Sequence, residues 1–470
     1  MSSSIQLVVI GAGPGGYAAA FLAADLGMEV AIVEKEPNPG GVCLYRGCIP
    51  SKAFLHVAKI IREAKHAKAF GIEYNEPKID VNKLRDWKQS VVSKLTGGLG
   101  QLARARKIKY FQGEASFINS HRLRIKKADG SSEEIDFKNA ILATGSRPSV
   151  IPDLPKSPDI WDSTSALAMG NIPENLLVVG GGYIGMELGT VYHELGSKVS
   201  VVEMTPGLLP GADRDLTDVL YKRVKNLFAK IMLETKVVKM ESSKNGITVT
   251  FADKAGNGFK EEYNKVLVSI GRRPNWENLG LENTKVKVTS RGFVEVNDQR
   301  QTTDPSIYAV GDIAGDPMLA HKASHEGRVA VEAIAGKRVA FEPQAIPAVV
   351  FTDPEIAWCG LTEMDAAKAG LDVTVVKFPW GASGRALTLD RTDGLTKLII
   401  DSKTQRILGV GIVGVGAGEM IAEGVIAIEM GAVAQDLKLS IHPHPTLSET
   451  IMEAAESVYG HSTHIYKPKR

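Results

Sequence analysis

Three features are scarce in this sequence: cysteine, long apolar runs and net charge. Only three cysteines occur in 470 residues, which excludes a secreted scaffold held together by disulfides. No run of about eighteen apolar residues occurs, so the sequence predicts no transmembrane helix. The 56 basic and 54 acidic residues leave a net charge of +2, which argues against nucleic acid as the main partner.

The rest of the composition indicates an ordinary globular enzyme. Hydrophobic residues make up 44% of the chain and charged residues 23%. The length predicts roughly two to four domains, because single cores stop growing beyond about 250–300 residues. Residues 1–4 lead directly into a strand without a basic segment or a cleavage site, so we expect a cytoplasmic protein. A disulfide in that compartment is more often catalytic than structural.

Two of the cysteines, Cys43 and Cys48, lie five residues apart. A regular helix would hold their Cα atoms about 8 Å apart, whereas a disulfide needs about 4.4–6.8 Å. A bridge therefore requires a broken helical turn, for which Gly47 supplies backbone freedom. Pro50 suits the first turn of a second helix that continues through Lys52, and the positive end of that helix would lower the pKa of Cys48. The pattern indicates a redox-active pair; the alternative is two free core cysteines.

A glycine-rich loop precedes this pair. The strand-like run Ile5–Ile10 is followed by Gly11, Gly13 and Gly16, then by an alanine-rich helix predicted from Tyr17 to about Leu26 and a second strand that ends at Glu34. This order is typical of a dinucleotide-binding unit. The first glycine permits the tight turn, the second lets the backbone approach a pyrophosphate, and the third allows close packing of helix and strand. The acid at the strand end can accept hydrogen bonds from ribose hydroxyls.

The same unit occurs a second time, with Gly180, Gly182, Gly185 and Glu203 in the equivalent places. In both copies the acid lies eighteen residues after the third glycine. Two units imply two bound nucleotides, which we expect to be FAD and a nicotinamide dinucleotide. Glu203 would repel a 2′-phosphate and no basic residue follows before Pro206, so NAD is favoured over NADP.

The chain after each unit follows a matching pattern. Ile141–Pro148 and Ser269–Pro274 both predict a strand that ends in a glycine turn, and Ile307–Ile313 predicts a strand that ends in an acid. From about Pro347 the character changes, and an antiparallel sheet flanked by helices is expected. Its predicted strands are Val373–Phe378, Thr396–Asp401 and Ile407–Val413, and its predicted helices lie near Gly418–Met430 and Leu447–Ser457.

Four motifs together resemble the pyridine nucleotide–disulfide oxidoreductase family, over essentially the whole chain. They are Gly41–Lys52, Ala309–Asp312, Leu319–Ala323 and His442–Glu449. The resemblance implies an α/β fold with two Rossmann-like dinucleotide-binding domains plus a C-terminal α+β dimerisation domain. It implies an FAD-binding domain over 1–148, an NAD-binding domain over 149–275, a central segment returning to the FAD side over 276–347, and an interface domain over 348–470.

The resemblance also assigns roles to individual residues. Cys43 would exchange with substrate sulfur and Cys48 would contact the flavin. Lys52 and Glu187 would form an ion pair beside the reactive flavin nitrogen, while His444 and Glu449 would act as base and orienter. The implied FAD-binding residues are Gly11, Gly13, Gly16, Glu34, Lys52, Ala115, Thr144, Gly145, Ser146, Asp312, Met318, Leu319 and Ala320. The implied NAD-binding residues are Gly180, Gly182, Tyr183, Ile184, Gly185, Glu203, Val237 and Gly271.

Within the family, the motifs are most similar to the flavoprotein of the 2-oxo acid dehydrogenase complexes. That similarity implies oxidation of protein-bound dihydrolipoamide with NAD⁺, and a second use in glycine cleavage. It implies a homodimer whose partners are a lipoyl domain and an acyltransferase core, with no nucleic acid, membrane or metal. Only a thiolate attacks a disulfide, so this chemistry needs a base that titrates near neutral pH, which suits histidine.

Several alternatives stay open from the sequence. His442 could be confused with His444 as the base, although the family motif favours the latter. Tyr45 and Arg46 stand where the family more often has Asn-Val, which bears on the redox poise of the cysteines. Tyr183 stands where the glutathione reductase branch has an aromatic gate. A glutathione- or mercury-type reductase is disfavoured by Glu203 and by the cysteine-free C-terminus, and a scaffold role is a hypothesis of another class.

Overall fold

The first sheet of the protein carries the first glycine loop. In the computed structural model, which describes residues 5–466, Ile5–Ile10 pairs in parallel with Val30–Glu34 and with Ser132–Leu142. Leu7, Val8 and Val9 are fully buried, as expected for a central parallel strand covered on both faces. The strands of this sheet are, in spatial order, Lys109–Gln112, Val30–Glu34, Ile5–Ile10, Ser132–Leu142, Arg122–Lys126 and Glu114–Asn119, with Ile307–Ala309 also pairing with Ser132–Leu142.

The chain returns to this first sheet after leaving it for the second. Ile307–Ala309 adds a parallel strand, and the helix Ala320–Ile334 packs on the helix Pro14–Asp25. The two helices approach so closely that a Cβ on Gly327 would lie 2.5 Å from the carbonyl oxygen of Gly15. The return of the chain to the first sheet agrees with the prediction from the sequence. The exact domain bounds stay predictions.

The second sheet is wholly parallel and carries the second glycine loop. Its strands are, in spatial order, Lys230–Met232, Lys198–Val202, Asn175–Val179, Lys265–Val268 and Ile160–Trp161. A small antiparallel sheet lies beside it and consists of Lys236–Ser242, Ile247–Ala252 and Gly258–Tyr263. The two matching exit segments pair with each other, since Ser146–Pro148 runs antiparallel to Arg272–Pro274.

The C-terminal part is an antiparallel sheet with helices, as the sequence predicts. Its strands are, in spatial order, Ala348–Val350, Glu355–Gly360, Ile407–Gly414, Leu395–Asp401 and Val373–Pro379. Trp380, directly after the edge strand Val373–Pro379, is fully buried and donates its indole N–H to the hydroxyl of Thr396. The α/β fold class with two Rossmann-like units and a C-terminal α+β domain is thereby confirmed.

Helices alternate with these strands along the chain. They are Pro14–Asp25, Gly41–Arg46, Cys48–His66, Val81–Ala105, Ser163–Ala168, Tyr183–Glu194, Arg214–Lys225, Ala320–Ile334, Glu363–Lys368, Gly384–Thr388, Ala417–Glu429, Ala434–Leu439 and Glu449–Glu456. The first helix begins at Pro14, three residues before its predicted start at Tyr17, because proline suits the first helical position. Over residues 5–466, no helix combines the length and apolar character that crossing a membrane requires.

A buried ammonium group joins the second nucleotide unit to the C-terminal domain. The side chain of Lys397 is 1% exposed and lies 2.6 Å from Asp213, 2.8 Å from Asp215 and 2.9 Å from Glu363. The three acids have the spacing of a possible metal site, but the lysine nitrogen already supplies the cation between them. We interpret this cluster as a structural clamp between domains.

Replacing this lysine should destabilise the fold strongly. Lys397→Met leaves three neighbouring carboxylates without their buried cation, so we expect the free energy of unfolding to fall by about 3–5 kcal/mol. Lys377→Met is the matched control, because Lys377 reaches Asp215 and Glu363 from a half-exposed position, and it should cost about 1 kcal/mol or less. Urea unfolding of both variants measures the difference; equal losses would contradict the clamp.

Candidate active site

The two cysteines lie at a break between two helices. The helix Gly41–Arg46 ends at Gly47, and Cys48 is the first residue of the nineteen-residue helix that follows. A Cβ on Gly47 would lie 2.9 Å from the carbonyl oxygen of Val42, so only glycine fits this junction without a shift. The predicted break is therefore present. Cys43 and Cys48 are both free thiols in the structure, which is the reduced form of the predicted pair.

The two sulfurs differ sharply in acidity. A hydrogen bond from Cys43 and the charge of Lys52 outweigh the opposing effect of burial and lower the pKa of Cys48 to about 7. The same hydrogen bond, together with burial, raises the pKa of Cys43 well above its usual value. Cys48 also begins a helix, where the backbone dipole favours a negative charge. In the reduced pair, Cys48 is the sulfur that loses its proton first.

A buried ion pair lies one helical turn from Cys48. The ammonium nitrogen of Lys52 is 2.7 Å from Oε2 of Glu187, whose side chain is only 4% exposed. The two residues come from different units, since Lys52 belongs to the helix Cys48–His66 and Glu187 to the helix Tyr183–Glu194. The resemblance had implied this pair, and the structure brings its two members together. The backbone N–H of Phe351 donates to the second oxygen of Glu187, a contact that the sequence did not indicate.

The two glycine loops have the same geometry. Gly11 and Gly180 adopt φ values of +94° and +105°, and an added Cβ would lie 2.4 Å and 2.6 Å from backbone carbonyl oxygens. These positions need glycine for the turn. The third glycines are equally constrained, because a Cβ on Gly16 or Gly185 would lie 2.0 Å or 2.3 Å from the carbonyl oxygen of the first glycine. These contacts agree with the tight turn and the close helix–strand packing expected of the first and third glycines, and their part in nucleotide binding stays a prediction.

The second glycine of each loop faces open space. Around Gly182 an added Cβ would meet no atom within 4 Å, and around Gly13 only the Cα of Gly41 at 4.0 Å. Each of these glycines caps a helix without a side-chain hydrogen bond, so the first backbone N–H groups of that helix stay available. This arrangement suits the pyrophosphate of a dinucleotide.

The acids at the strand ends are held in the same way in both units. Oε2 of Glu34 accepts from the backbone N–H of Ala12 at 2.7 Å, and Oε2 of Glu203 accepts from that of Gly181 at 2.6 Å. Each carboxylate thereby closes its own glycine loop. A carboxylate oxygen has two lone pairs, so both acids can still accept from a ribose hydroxyl.

One cavity of about 1080 Å³ connects the first glycine loop with the cysteines and the ion pair. Its size, and a lining that runs from the glycine loop to the thiols, fit a large dinucleotide such as FAD. Among the implied FAD-binding residues, those that line it are Gly11, Gly13, Glu34, Lys52, Ala115, Thr144, Gly145, Ser146, Asp312, Met318 and Ala320. Gly16 and Leu319 do not belong to this lining.

The second unit lines the same cavity from the helices Ser163–Ala168 and Tyr183–Glu194 and with Arg272. Tyr183 and Ile184 line it, whereas the remaining implied NAD-binding residues lie outside its lining: Gly180, Gly182, Gly185, Glu203, Val237 and Gly271. Burial raises the pKa of Tyr183 to about 12 although the charge of Arg272 opposes this, so its phenol is neutral near pH 7. The side chain of Tyr183 lies where the second unit meets the cavity. Its role as a gate to the nicotinamide pocket stays a prediction.

Sequence reasoning missed a polar network between the two exit segments. Arg272 donates from Nε to the hydroxyl of Ser146 at 2.7 Å, and that hydroxyl donates to Asp312. Thr144 and Asn275 exchange hydrogen bonds beside it, at 2.7 Å and 3.0 Å. The repeated exit motif was the available signal, because two similar segments at neighbouring domain edges can pair.

Tyr45 and Arg46, the unusual residues between the cysteines, make their polar contacts away from the sulfurs. The hydroxyl of Tyr45 donates to the carbonyl oxygen of Asn38 at 3.0 Å, and Arg46 forms an ion pair with Glu36. Both contacts fasten the short helix of Cys43 to the loop after the second strand. Their effect on redox poise stays a prediction.

The C-terminal histidines are clearly distinguished by their contacts. Both ring nitrogens of His442 are occupied, Nε2 by Glu423 at 2.7 Å and Nδ1 by the carbonyl oxygen of Ser440 at 2.9 Å. The side chain of His444 is 75% exposed, and only its Nδ1 is occupied, by Glu449 at 2.9 Å. Its Nε2 has no hydrogen-bond partner among residues 5–466. The geometry therefore supports His444 as the base.

Glu449 holds that histidine from the first turn of the helix Glu449–Glu456. Its second oxygen accepts from the backbone N–H of Thr446 at 2.7 Å. Burial tends to raise the pKa of Glu449, but the hydrogen bonds from Thr446 and His444 outweigh it and hold the pKa below the usual value. A charged carboxylate thus faces the imidazole and fixes its orientation. Neither His444 nor Glu449 lines the cavity of its own chain, as far as residues 5–466 are concerned.

Comparisons with known proteins agree with this geometry. The chain is 50% identical to the dihydrolipoyl dehydrogenase of Haemophilus influenzae over 99% of this chain and 97% of the relative. It is 48% identical to that of Vibrio cholerae, over 99% and 98%. Among solved structures, the HOCl-induced flavoprotein disulfide reductase RclA from Escherichia coli has a TM-score of 0.86 at 28% identity, covering 96% of this chain and all of that one.

Two family models cover nearly the whole chain. Residues 5–327 match the pyridine nucleotide-disulphide oxidoreductase model, and residues 346–455 match the dimerisation domain of the same group. The first match contains both glycine loops, the cysteine pair and the ion pair. The second contains His444 and Glu449, so the C-terminal antiparallel domain is a dimerisation domain. The chain belongs to the pyridine nucleotide–disulphide oxidoreductase family.

Proposed function

We propose that this protein is a dihydrolipoyl dehydrogenase, which oxidises protein-bound dihydrolipoamide to lipoamide and reduces NAD⁺. The observation that carries the proposal is the pair Cys43 and Cys48, set at a helix start beside the Lys52–Glu187 ion pair and in one cavity with the first glycine loop. Two relatives of that name, at 48–50% identity over nearly the full length of each chain, support the same activity.

The cofactors are FAD and NAD. The pyrophosphate of FAD fits the open side of Gly13, its ribose fits Glu34, and its ribityl chain fits Asp312. When bound there, FAD would supply the two-electron carrier between the dithiol and NAD⁺. NAD⁺ binds at the second loop, where Gly182 faces open space and Glu203 is fixed at the strand end.

The acidity of the two sulfurs supports their order in the exchange. A substrate thiolate attacks the Cys43 sulfur of the oxidised pair, the bond between Cys43 and Cys48 breaks, and Cys48 departs as a thiolate. The second substrate thiolate then attacks the substrate sulfur that is bonded to Cys43. The mixed disulfide breaks, and lipoamide and the Cys43 thiolate are released. Cys48 is the better leaving group because its pKa is the lower of the two.

The base comes from a second subunit. His444 lies outside the cavity of its own chain, so the site is incomplete in one subunit. Apolar side chains are exposed on the same domain: Ile426, Met430, Leu439 and Ile441, the last of them 99% exposed. A second copy of the chain would cover them in a two-fold dimer. The partner subunit's His444 then accepts the substrate proton, and Glu449 stabilises the resulting imidazolium.

The protein partners follow from the substrate. The lipoyl group is carried on a lipoyl domain, and we assign the enzyme to the acyltransferase core of a 2-oxo acid dehydrogenase complex, with glycine cleavage as a second use. The small number of cysteines supports a cytoplasmic location.

A different disulfide reductase is less well supported, because RclA is only 28% identical and Glu203 disfavours NADPH. A scaffold without catalysis would have no need of the ion pair beside the thiols.

The nicotinamide choice is tested at Glu203. We expect catalytic efficiency to be far higher with NAD⁺ than with NADP⁺, because repulsion between this carboxylate and a 2′-phosphate costs several kcal/mol. Glu203→Arg should shift the preference toward NADP⁺. Glu203→Gln is the control, since it keeps an acceptor for Gly181 but removes the charge, and it should narrow the preference without reversing it. Equal efficiencies in the unaltered enzyme would contradict the assignment.

The base is tested at His444. His444→Gln should lower the rate of dihydrolipoamide oxidation about 10²–10⁴-fold, the usual effect of losing a positioned general base. Oxidation of NADH by artificial acceptors should survive, because that route bypasses the thiols. His461→Gln alters an exposed histidine of the same domain and should leave both rates unchanged. A His444→Gln enzyme with normal dihydrolipoamide turnover would exclude the proposed base.

A further inference from the structure

The C-terminal domain reaches the ion pair of its own chain through one residue. Phe351 follows the strand Ala348–Val350 and donates its backbone N–H to Oε1 of Glu187 at 3.0 Å. Its ring faces Lys52, with the ammonium nitrogen 4.5 Å from the ring centroid. The same residue therefore contacts both members of the pair, one through its backbone and the other through its ring.

The segment that presents Phe351 is firmly anchored on both sides. On one side, Ala348–Val350 pairs with the strand Glu355–Gly360. On the other, the carboxylate of Asp353 is 5% exposed and is surrounded by three arginines. They are Arg62 at 2.9 Å, Arg223 at 3.1 Å and Arg391 at 2.7 Å. Arg62 belongs to the same helix as Cys48 and Lys52, so the anchor fixes Phe351 relative to the thiols.

We propose that Phe351 is a positioning residue, which holds the ammonium group of Lys52 where it stabilises the thiolate of Cys48. The proposal deepens the proposed function and rests on it. The electron-rich face of the ring attracts the ammonium group and limits its movement toward solvent. The backbone N–H occupies one oxygen of Glu187 and leaves the other for Lys52.

The position of Lys52 matters because opposing charges act on Cys48. The Lys52 ammonium favours the Cys48 thiolate, and the Glu187 carboxylate disfavours it. If the ammonium moved away, the carboxylate would remain and the balance would shift toward the neutral thiol. The titratable groups that face Cys48 are Cys43 on the preceding helix, Lys52 on its own helix, Glu187 and Tyr183 on the helix of the second unit, and Tyr17 on the helix of the first.

The test measures the acidity of Cys48 in the FAD-loaded enzyme. Cys43→Ser isolates this thiol, because the remaining Cys359 is buried and burial raises its pKa to about 12. The rate of alkylation of Cys48 by iodoacetamide, followed by mass spectrometry of its peptide, gives the midpoint of its titration. Adding Phe351→Leu should raise that midpoint by about 0.5 unit. Phe351→Tyr keeps a ring and should restore it.

A matched control removes a similar contact elsewhere. The ring centroid of Phe341 lies 5.0 Å from the guanidinium carbon of Arg300, away from the cysteines. Phe341→Leu in the Cys43→Ser background should therefore leave the titration midpoint of Cys48 unchanged. If Phe351→Leu loses FAD or unfolds, Phe351→Met supplies the second ring-free variant. An unchanged midpoint in the ring-free variant would overturn the proposal, as would an equal rise in the Phe341 control.

Dihydrolipoamide turnover of the unaltered enzyme tests the proposed function separately, since its absence would refute the activity without altering the titration of Cys48.

Discussion

The ion pair between Lys52 and Glu187 is the contact on which the arrangement of the site depends. It joins residues 135 positions apart and links the helix of the thiols to the helix of the second glycine loop. A buried carboxylate without its cation is costly, so the two helices cannot slide past each other without breaking the pair. The pair thereby fixes where Cys48 lies relative to Tyr183, at the point where the two nucleotide units meet the common cavity.

Local signals in the sequence carried much of the structure. Both glycine loops, the acids Glu34 and Glu203, the break at Gly47 and the C-terminal antiparallel strands were predictable, because each depends on backbone freedom or alternation within a few residues. The helix that begins at Pro14 was placed slightly late, since its start depends on proline and an open glycine cap rather than on apolar spacing. The roles of Lys52, Glu187 and His444 came from the family motifs, as no spacing relates residues so distant in the chain.

The contacts that sequence reasoning missed are all long-range. Phe351 reaches Glu187 across 164 residues, and Lys397 reaches Asp213 across 184. Arg272 meets Ser146 only because the two exit segments pair as neighbouring strands. Apart from the repeated exit motif that contains Ser146 and Arg272, nothing in the local sequence of these residues distinguishes them from ordinary core or surface positions. Their partners become evident only when the sheets and helices have been assembled, and each of them fixes one domain against another.

The central claim is that one functional site combines the thiols of one subunit with the histidine of the other. Mixing of two inactive chains, one carrying Cys43→Ser and the other His444→Gln, measures this most directly. In a heterodimer, one of the two sites then has both intact groups, so dihydrolipoamide oxidation should recover to about half of the wild-type rate per heterodimer. Differently tagged chains allow the heterodimer to be purified before the assay. No recovery in purified heterodimers, or full activity from a monomer in solution, would contradict the shared site.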